Sequence, residues 1–286
     1  MLACWALDNI KEQRSFYKEF DFLMMFSSVV QWKKHHPDHT CRLYCDELTK
    51  KVITEMKADK LWDEISVLGR VRTIDKSVFW AASKLQAIRF IGEPFIIMDN
   101  DFITYRSFSE FFKNTVIVAH EEDTTDYYPT IFDPYIKQTK HILHNSGTTA
   151  INCSFLYFPD PKVSQSYAKL SIQLMEEFTK IKAPNSKYLI YSEQLALKHL
   201  LDEYKVKYQN LDGALWSAQD GAFTDREGGL LPMGEEHLWY RHYWTAKPHI
   251  YNSTLGYSLE KESEQLHNVL KKYQLNWEVV RNVNSR

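Results

Sequence analysis

The sequence predicts an α/β fold in which a mixed, mainly parallel central sheet is flanked by helices, organised as a single domain over residues 1–286. Stretches with the apolar pattern of strands alternate with stretches of helical periodicity, and such alternation is typical of an open parallel sheet. The run Phe95–Met98 is apolar throughout, which is the pattern of a strand buried on both faces. No internal repeat, low-complexity tract or Gly/Ser-rich linker divides the chain.

The first half of the chain begins this alternation. Leu2–Leu7 is predicted to form the first strand because it is almost entirely apolar. Tyr17–His36 is predicted to be an amphipathic helix, with these residues on one face: Phe20, Leu23, Met24, Ser27 and Val30. The Pro37 loop ends that helix, and a second strand at Cys41–Cys45 leads into a helix over Asp46–Lys57.

The alternation continues up to an acidic motif. A short apolar run at Ile65–Leu68 predicts a third strand. Phe79–Ile91 is predicted to be helical because apolar residues recur on one side, and Gly92-Glu93-Pro94 ends it. The strand Phe95–Met98 follows and runs directly into Asp99-Asn100-Asp101.

The second half is less regular. Apolar runs predict strands at Val116–Ala119 and Ala150–Phe158, and helical periodicity predicts helices at Lys162–Lys180 and Ser192–Tyr204. An irregular stretch at 212–234 comes next, and a final amphipathic helix is predicted at Ser258–Tyr273.

The bulk composition excludes several classes of protein. Apolar residues make up 44% and charged residues 25% of the chain, which is ordinary for a globular protein and unlike a disordered one. The net charge of −2 argues against a nucleic-acid partner, because such proteins carry a basic excess. No GxSxG, GxxxxGK[ST] or GxGxxG motif is present, so hydrolase, P-loop and dinucleotide-binding functions lose their main support.

The cysteines and the apolar runs indicate a cytoplasmic location. Cys4, Cys41, Cys45 and Cys153 form no CxxC pair and are expected to be buried thiols in a reducing compartment. No signal peptide is visible, and no apolar run reaches the ~18 residues of a transmembrane segment. Peripheral contact with a membrane surface stays open.

Asp99 and Asp101 are the strongest candidates for chemistry. In parallel sheets, ligands bind beyond the carboxyl ends of the strands, and both acids follow a buried strand at that end. Two carboxylates at this spacing suit Mn²⁺ or Mg²⁺ rather than Zn²⁺. Such an ion can bridge a diphosphate and neutralise the charge that builds on it as it leaves. The alternative is a turn that only ends the strand.

The segment from Phe79 to Asp101 resembles the helix, strand and DxD motif of GT-A glycosyltransferases, which have a Rossmann-like fold. The order of motifs is most similar to the glycogenin and lipopolysaccharide galactosyltransferase group, family eight. The resemblance implies that Lys84 reaches the donor, that Asp99 contacts the ribose or the metal, and that Asp101 ligates the metal. It also implies a nucleotide-binding half at 1–105 and an acceptor-side half at 106–286. Lys84 as a helix-surface charge is the alternative.

Three later segments resemble motifs of the same family in the same order. Asn152 lies in a segment similar to the family's NxG strand and would contact the transferred sugar, although Ser154 stands where Gly is usual. Glu193-Gln194 resembles the acid–Gln pair near the anomeric carbon. An alternative for Glu193 is a helix start capped by Ser192.

The last of these segments resembles the late His…Lys-Pro signature of the family. His242 would complete the metal shell and Lys247 would hold a phosphate, with His237 and His249 as rival ligands and a solvated lysine as the alternative for Lys247. The spacing is one residue shorter than usual, and the usual Gly is missing. The resemblance also implies that Asp8 and Asn9, at the end of the first strand, contact the nucleobase.

The function implied by the resemblance is transfer of a hexose from a nucleotide-sugar, expected to be a UDP-sugar, to a hydroxyl acceptor in polysaccharide or glycoconjugate synthesis. Two rivals stay open. A sugar-1-phosphate nucleotidyltransferase would need a Gly-rich, Arg-containing loop after the first strand, and this chain has no glycine there. The other rival is a non-catalytic nucleotide-sugar-binding protein of the same fold.

Overall fold

A computed structural model describes residues 1–7, 18–69, 73–123, 128–143, 149–183, 187–211, 215–216, 240–243, 246–252 and 258–280. Their contacts divide the chain into two compact units. The first unit comprises Met1–Val67, Met98–Glu110 and Ser217–Arg286, and the second comprises Leu68–Ile97 and Phe111–Trp216. The predicted nucleotide-binding and acceptor-side halves, and the single domain that contains them, stay predictions.

The predicted fold class is confirmed: the fold is α/β, with a mixed, mainly parallel central sheet flanked by helices. The strands are β1 (Leu2–Leu7), β2 (Thr40–Cys45), β3 (Glu64–Val67), β4 (Phe95–Met98), β5 (Phe102–Thr104), β6 (Val116–Val118), β7 (Glu121–Asp123), β8 (Thr149–Ile151), β9 (Phe155–Phe158), β10 (Tyr208–Asn210), β11 (Leu215–Trp216) and β12 (Tyr240–His242). The helices are α1 (Glu19–His35), α2 (Glu47–Glu55), α3 (Ala82–Phe90), α4 (Pro161–Lys180), α5 (Lys187–Ile190), α6 (Ala196–Glu203), α7 (Ala246–Tyr251) and α8 (Leu259–Leu270).

In the first unit, β1, β2 and β3 lie side by side and are all parallel. Leu2 pairs with Thr40 in this register. Helix α1 buries the apolar face that the sequence predicted, and it also buries residues on other sides, such as Phe22 and Phe26. The reason is that α1 packs against both β5 and α8, so more than one of its faces is covered.

In the second unit, the strand order is β10-β6-β9-β4. Strand β6 is parallel to β10 and antiparallel to β9. A smaller sheet places β7 between β8, which is antiparallel to it, and β11, which is parallel. Helix α4 packs on α3 and is capped at its N-terminus by Asp160, whose side chain accepts a hydrogen bond from the backbone N–H of Lys162.

The single strand predicted at Ala150–Phe158 is wrong, because the chain forms two strands there. Strand β8 pairs with β7, whereas β9 pairs with β6, so the chain leaves one sheet and joins another between them. The Asn152 side chain stabilises this change of direction, since its Oδ1 accepts a hydrogen bond from the backbone N–H of Ser154 at 3.0 Å.

The predicted start of a helix at Ser192 is also wrong. Helix α5 begins five residues earlier and continues through a π-helical turn at Tyr191–Leu195 into α6. Buried residues at 188–190 extend the helical segment toward the N-terminus. The Ser192 hydroxyl donates to the Tyr188 carbonyl at 2.6 Å, so it does not cap a helix start.

Two further features concern the cysteines and the helices. All four cysteines are buried free thiols, and burial raises the pKa of Cys41 and of Cys45 to about 12. Among the helices that the structure describes, none combines the length and the apolar character needed to cross a membrane.

Candidate functional site

Three side chains in the first unit, those of Asp99, Asp101 and His242, could hold a metal ion, and they are called here the metal cluster. Strand β4 is buried along its whole length and delivers the chain directly to Asp99. A tight turn follows, in which the backbone N–H of Phe102 donates to the Asp99 carbonyl at 3.1 Å. Strand β4 therefore ends in a turn, and this turn carries the two acids.

The pairing of β5 with β12 brings the histidine to these acids. The strands are antiparallel, and His242 is the register partner of Phe102, the residue that follows Asp101. The backbone N–H of Tyr243 donates to the Asp101 carbonyl at 3.2 Å and continues the pairing by one residue. Main-chain hydrogen bonds thus hold the two parts of the cluster, which are far apart in sequence.

The donor atoms of the metal cluster converge. His242 Nε2 lies 3.5 Å from Asp101 Oδ1 and 3.9 Å from Asp99 Oδ2. One ligand atom from each residue lies within 4.8 Å of the others. Asp101 and His242 are buried, whereas the Asp99 side chain is 33% exposed, so Asp99 is the member most open to a ligand.

Among the described residues, Lys247 is the cation nearest to Asp101, the buried acid of this cluster. Its Nζ lies 2.8 Å from Asp101 Oδ2 and 3.8 Å from Asp21 Oδ1. Burial alone would raise the pKa of Asp101, but the charges of Lys247 and His242 outweigh burial and hold it well below its usual range. The pKa of Lys247 is raised in turn: burial would lower it, and the carboxylates of Asp101 and Asp21 more than compensate. Lys247 is therefore not the solvated lysine of the alternative.

Asp21 joins the surroundings of Lys247 and was not predicted from the sequence. Its Oδ2 accepts hydrogen bonds from the Tyr251 hydroxyl and from the backbone N–H of Lys18, both at 2.8 Å. Burial raises the pKa of Asp21 despite the opposing charge of Lys247. Asp21 lies in the first turn of α1, a position where acids are common for reasons of helix stability, so its sequence context carried no functional signal.

The donor set fits a divalent cation. Metal–oxygen bonds of about 2.1 Å place neighbouring donors about 3.0 Å apart and opposite donors about 4.2 Å apart. The observed separations of 3.5 and 3.9 Å fall between these values. Lys247 contacts Oδ2 of Asp101, whereas Oδ1 lies 3.5 Å from His242 Nε2, and an ion bound there would replace that contact. The three residues could therefore hold one ion without rearrangement of the strands that carry them.

Asn100, between the two acids, has an unmet acceptor. Its Nδ2 donates to the Ala6 carbonyl at 3.0 Å, which ties the motif to the end of β1. Its Oδ1 is buried and has no hydrogen-bond partner among the residues that the structure describes. A buried acceptor without a donor costs about 1–3 kcal/mol, so a ligand that supplies an N–H or O–H here would be stabilised.

The second unit contains a buried polar cluster, which joins predicted and unpredicted residues: Lys84, His120, Glu122, Tyr128, Asn152, Glu193 and Gln194. Lys84 lies on α3 and is 6% exposed, so the helix-surface alternative is wrong. Its ammonium group contacts Glu193 Oε1 at 2.6 Å and donates to the Cys153 carbonyl at 2.9 Å.

Glu122 is the centre of this cluster. Its Oε1 accepts from Asn152 Nδ2 at 2.6 Å, and its Oε2 accepts from the Tyr128 hydroxyl at 2.8 Å. The same hydroxyl contacts Gln194 Oε1. His120 Nε2 lies 3.3 Å from Glu122 Oε1. Glu122 thus contacts Asn152 directly, and it is linked to Gln194 through the Tyr128 hydroxyl.

Hydrogen bonds decide the charge states within this cluster. Burial alone would raise the pKa of Glu122, but contacts with His120, Asn152 and Tyr128 outweigh burial and lower it. Burial and the negative charge of Glu122 raise the pKa of Tyr128 well above its ordinary value. Tyr128 therefore keeps its proton, which it donates within the cluster.

The sequence prediction missed Glu122 and Tyr128. Glu122 lies in a run of three acids at 121–123, a pattern typical of an exposed segment, yet it is 8% exposed because alternate residues of β7 face opposite sides. Tyr128 belongs to no regular element, so no periodicity could mark it. The alternation of burial along β7 is the signal that could have indicated Glu122.

The structure brings the described site residues into two groups. Asp99, Asp101, His242 and Lys247 are together in the first unit, and Lys84, Asn152, Glu193 and Gln194 are together in the second. Asp8, Asn9 and His237 lie outside the described residues, as does the side chain of His249.

The fold is similar to that of a solved glycosyltransferase. The galactosyltransferase LgtC, solved in complex with donor and acceptor sugar analogs, is 13% identical, with a TM-score of 0.52 and a match that covers 99% of this chain and 100% of that one. An active-site mutant of LgtC is 12% identical over 98% of this chain and 100% of that one, with a TM-score of 0.49. The PaToxG glycosyltransferase is 11% identical over 71% of this chain and 69% of that one, with a TM-score of 0.44.

At identities this low, the similarity is evidence for the fold alone. No curated protein matches the chain. A match to the Family of unknown function (DUF6734) covers residues 5–224, well over half of the chain, and the protein therefore belongs to that family.

Proposed function

We propose that this protein is a metal-dependent glycosyltransferase that moves a hexose from a nucleotide-sugar, a UDP-sugar in the first instance, to a hydroxyl acceptor. The observation that carries the proposal is the metal cluster with Lys247 beside it, directly after a buried strand of an α/β fold similar to that of a galactosyltransferase. Two carboxylates, an imidazole and an ammonium group are a suitable set for binding a diphosphate through a cation.

We propose Mn²⁺ or Mg²⁺ as the ion, held by Asp99, Asp101 and His242. Carboxylate oxygens suit both ions, and the imidazole nitrogen favours Mn²⁺, because Mg²⁺ strongly prefers oxygen ligands. When bound, the ion would neutralise the negative charge that builds on the departing nucleoside diphosphate.

The residues of the first unit would bind the phosphates and the nucleoside. Lys247 keeps its positive charge, and its ammonium group contacts Asp101. The same ammonium group has further N–H donors for a phosphate oxygen. Asp99 is exposed enough to contact a ribose hydroxyl as well as the ion. We also propose, on the family resemblance alone, that Asp8 and Asn9 contact the base.

The residues of the second unit would bind the hexose that is transferred. In this proposal, Asn152 and Gln194 bind its hydroxyl groups, and Lys84 contacts the donor. Glu193, paired with Lys84, would either take the proton of the acceptor hydroxyl or stabilise positive charge at the anomeric carbon. The contacts of Glu122 and Tyr128 with these amides would keep them in position before the substrate binds.

A panel of UDP-, GDP- and CDP-sugars tested by thermal shift, with and without Mn²⁺, tests the proposal. A UDP-sugar should raise the melting temperature in a metal-dependent way, with about 2.7 kcal/mol of stabilisation at a hundred times Kd. Asp101→Asn should abolish the metal-dependent part. Asp59→Asn, which neutralises an exposed acid of the first unit outside the cluster, should behave like the unmodified protein.

Slow release of free UDP from the UDP-sugar distinguishes an enzyme from a binding protein. We expect Mn²⁺-dependent UDP release that Asp101→Asn lowers by about 10²–10³-fold, the usual cost of losing one preorganised charged contact. Binding without any UDP release would favour the non-catalytic rival. A melting temperature unaffected by every nucleotide-sugar, with and without metal, would contradict the proposal.

A further inference from the structure

A cavity of about 600 Å³ lies in the second unit, formed by residues 140–143 together with helices α4 and α6. It contains no member of the metal cluster or of the buried polar cluster. Its volume falls within the range of roughly 300–1,000 Å³ that is usual for small-molecule sites. The cavity is therefore a candidate ligand site separate from the residues assigned above.

The cavity has an apolar floor and a cationic rim. Leu143 and Leu200 contribute buried apolar surface, with 2% and 3% exposure. Lys140 and Lys169 are exposed at the rim, and neither ammonium group has an acidic partner among the described residues. The carboxylate of Glu203 also lines the cavity, but it lies 3.4 Å from His199. Two lysines and one acid therefore line the cavity, which gives its lining an excess of positive charge; Glu177, outside the lining, contacts His141 Nδ1 at 3.1 Å.

Other lining groups suit a ligand with a ring and hydroxyl groups. Gln173 and Ser166 offer hydrogen-bond donors and acceptors, and Tyr204 presents a ring that is 63% exposed. An exposed tyrosine ring can cover the flat face of a sugar or a base while its hydroxyl stays in water.

We propose that this cavity binds a small organic phosphate, such as a phosphorylated sugar. A phosphate monoester carries a charge of roughly −1.5 to −2 at neutral pH, which matches two ammonium groups from different segments. A carboxylate carries a single charge, and a neutral sugar offers the lysines no partner. The apolar floor and Tyr204 would contact the organic body. This inference does not rest on the proposed glycosyl transfer.

Calorimetric titrations of the full chain, without divalent cations, test this inference with four probes. These are glucose 6-phosphate, inorganic phosphate, glucuronate and glucose, and glucose 6-phosphate should bind most tightly. Lys140→Gln combined with Lys169→Gln should weaken its binding about tenfold, since both exposed ion pairs with the phosphate are lost. Lys137→Gln combined with Lys162→Gln removes the same charge from exposed lysines outside the cavity and should leave the affinity unchanged.

Several results would overturn the assignment. These are no detectable binding of glucose 6-phosphate, equal affinity in the Lys140/Lys169 double variant, or glucose, glucuronate or inorganic phosphate binding as tightly as the sugar phosphate. Lys247→Gln, which removes the ammonium group beside the metal cluster, should leave the titration unchanged, because the cavity does not include it. Loss of binding in Lys247→Gln would place the phosphate at the metal cluster and overturn the cavity assignment.

Discussion

In the metal cluster, ligand atoms of two carboxylates and an imidazole lie within 4.8 Å of one another, and Lys247 contacts one oxygen of Asp101. In the buried polar cluster, the carboxylates have partners from the protein itself. Glu193 contacts Lys84 at 2.6 Å, and Glu122 accepts from Asn152 and Tyr128 at 2.6 and 2.8 Å. Both regions contain acidic and basic side chains. The acids of the first converge on one point, whereas the acids of the second each have a partner within the protein.

This difference indicates which of the two regions requires a bound ion. Two carboxylates whose oxygens converge with an imidazole can bind an ion, because the cation adds positive charge where the acids concentrate negative charge. Acids that are matched by internal donors are poised to hold side chains in fixed orientations before a substrate arrives. Metal binding should therefore depend on the first region, and folding stability should depend more strongly on the second.

The largest expected effect comes from breaking the buried ion pair of the second unit. Lys84→Met should lower the free energy of unfolding by about 3–5 kcal/mol, because it leaves the Glu193 carboxylate buried without its cation. Urea unfolding measures this change. Lys84→Met combined with Glu193→Met should recover part of the loss, since the double variant buries no unpaired charge.

Lys180→Met provides the matched control for that experiment. Lys180 is an exposed lysine of α4 in the same unit, so its replacement should change stability by less than about 0.5 kcal/mol. If Lys84→Met were as stable as this control, the ion pair would not hold the cluster together, and the contrast between the two regions would fail.

The sequence predicted the elements that carry the site better than the contacts within it. Strand β4 and the two acids after it could be predicted, because a run of four apolar residues followed by acids is a local feature of the sequence. All four residues are buried in the structure. The partner of those acids was not derivable from local pattern. His242 reaches Asp101 through the β5–β12 register, which joins residues more than a hundred positions apart, and the family resemblance alone indicated it.

The same limit explains the residues that were missed. Asp21 and Glu122 each lie where an acid has an ordinary structural explanation, at the start of a helix and in an acidic run. Their roles arise from tertiary contacts, with Lys247 and with Asn152, that no spacing rule reveals. Conversely, Ser192 had the local signature of a helix cap and lies inside a helical segment because the buried residues before it extend the helix.

Stability measured as a function of pH distinguishes buried groups that are charged, such as Lys84 and Glu193, from a buried group that must be neutral. His36, in the first unit, is 2% exposed, its ring stacks on Trp32, and its Nε2 accepts from the backbone N–H of Phe108 at 3.2 Å. That hydrogen bond requires an unprotonated nitrogen. Burial, aided by the charges of His39 and His35, lowers the pKa of His36 to about 4.

The sign of the effect follows from that pKa. The unfolded chain takes up a proton near pH 6.5 and the folded chain near pH 4, so stability is complete above about pH 6.5 and falls between these values. The loss from His36 should be at most about 3 kcal/mol. Urea unfolding between pH 7.5 and 4 measures it. In His36→Gln the slope should be shallower, with a remainder from His39, whose pKa is also lowered to about 4. An unchanged slope would contradict the assignment to His36.

The smallest effect is a change of metal preference at the first region. His242→Gln replaces the imidazole nitrogen with an amide, whose oxygen can serve as a ligand. Mn²⁺ should then bind about tenfold more weakly, and Mg²⁺ should lose less, because Mg²⁺ prefers oxygen. Titration of each ion, read from its effect on the melting temperature, measures both affinities. His267→Gln, on a partly exposed histidine of the same unit, is the control and should change neither. If His242→Gln left Mn²⁺ binding intact, the imidazole would not be a ligand, and the two carboxylates would have to hold the ion with another partner.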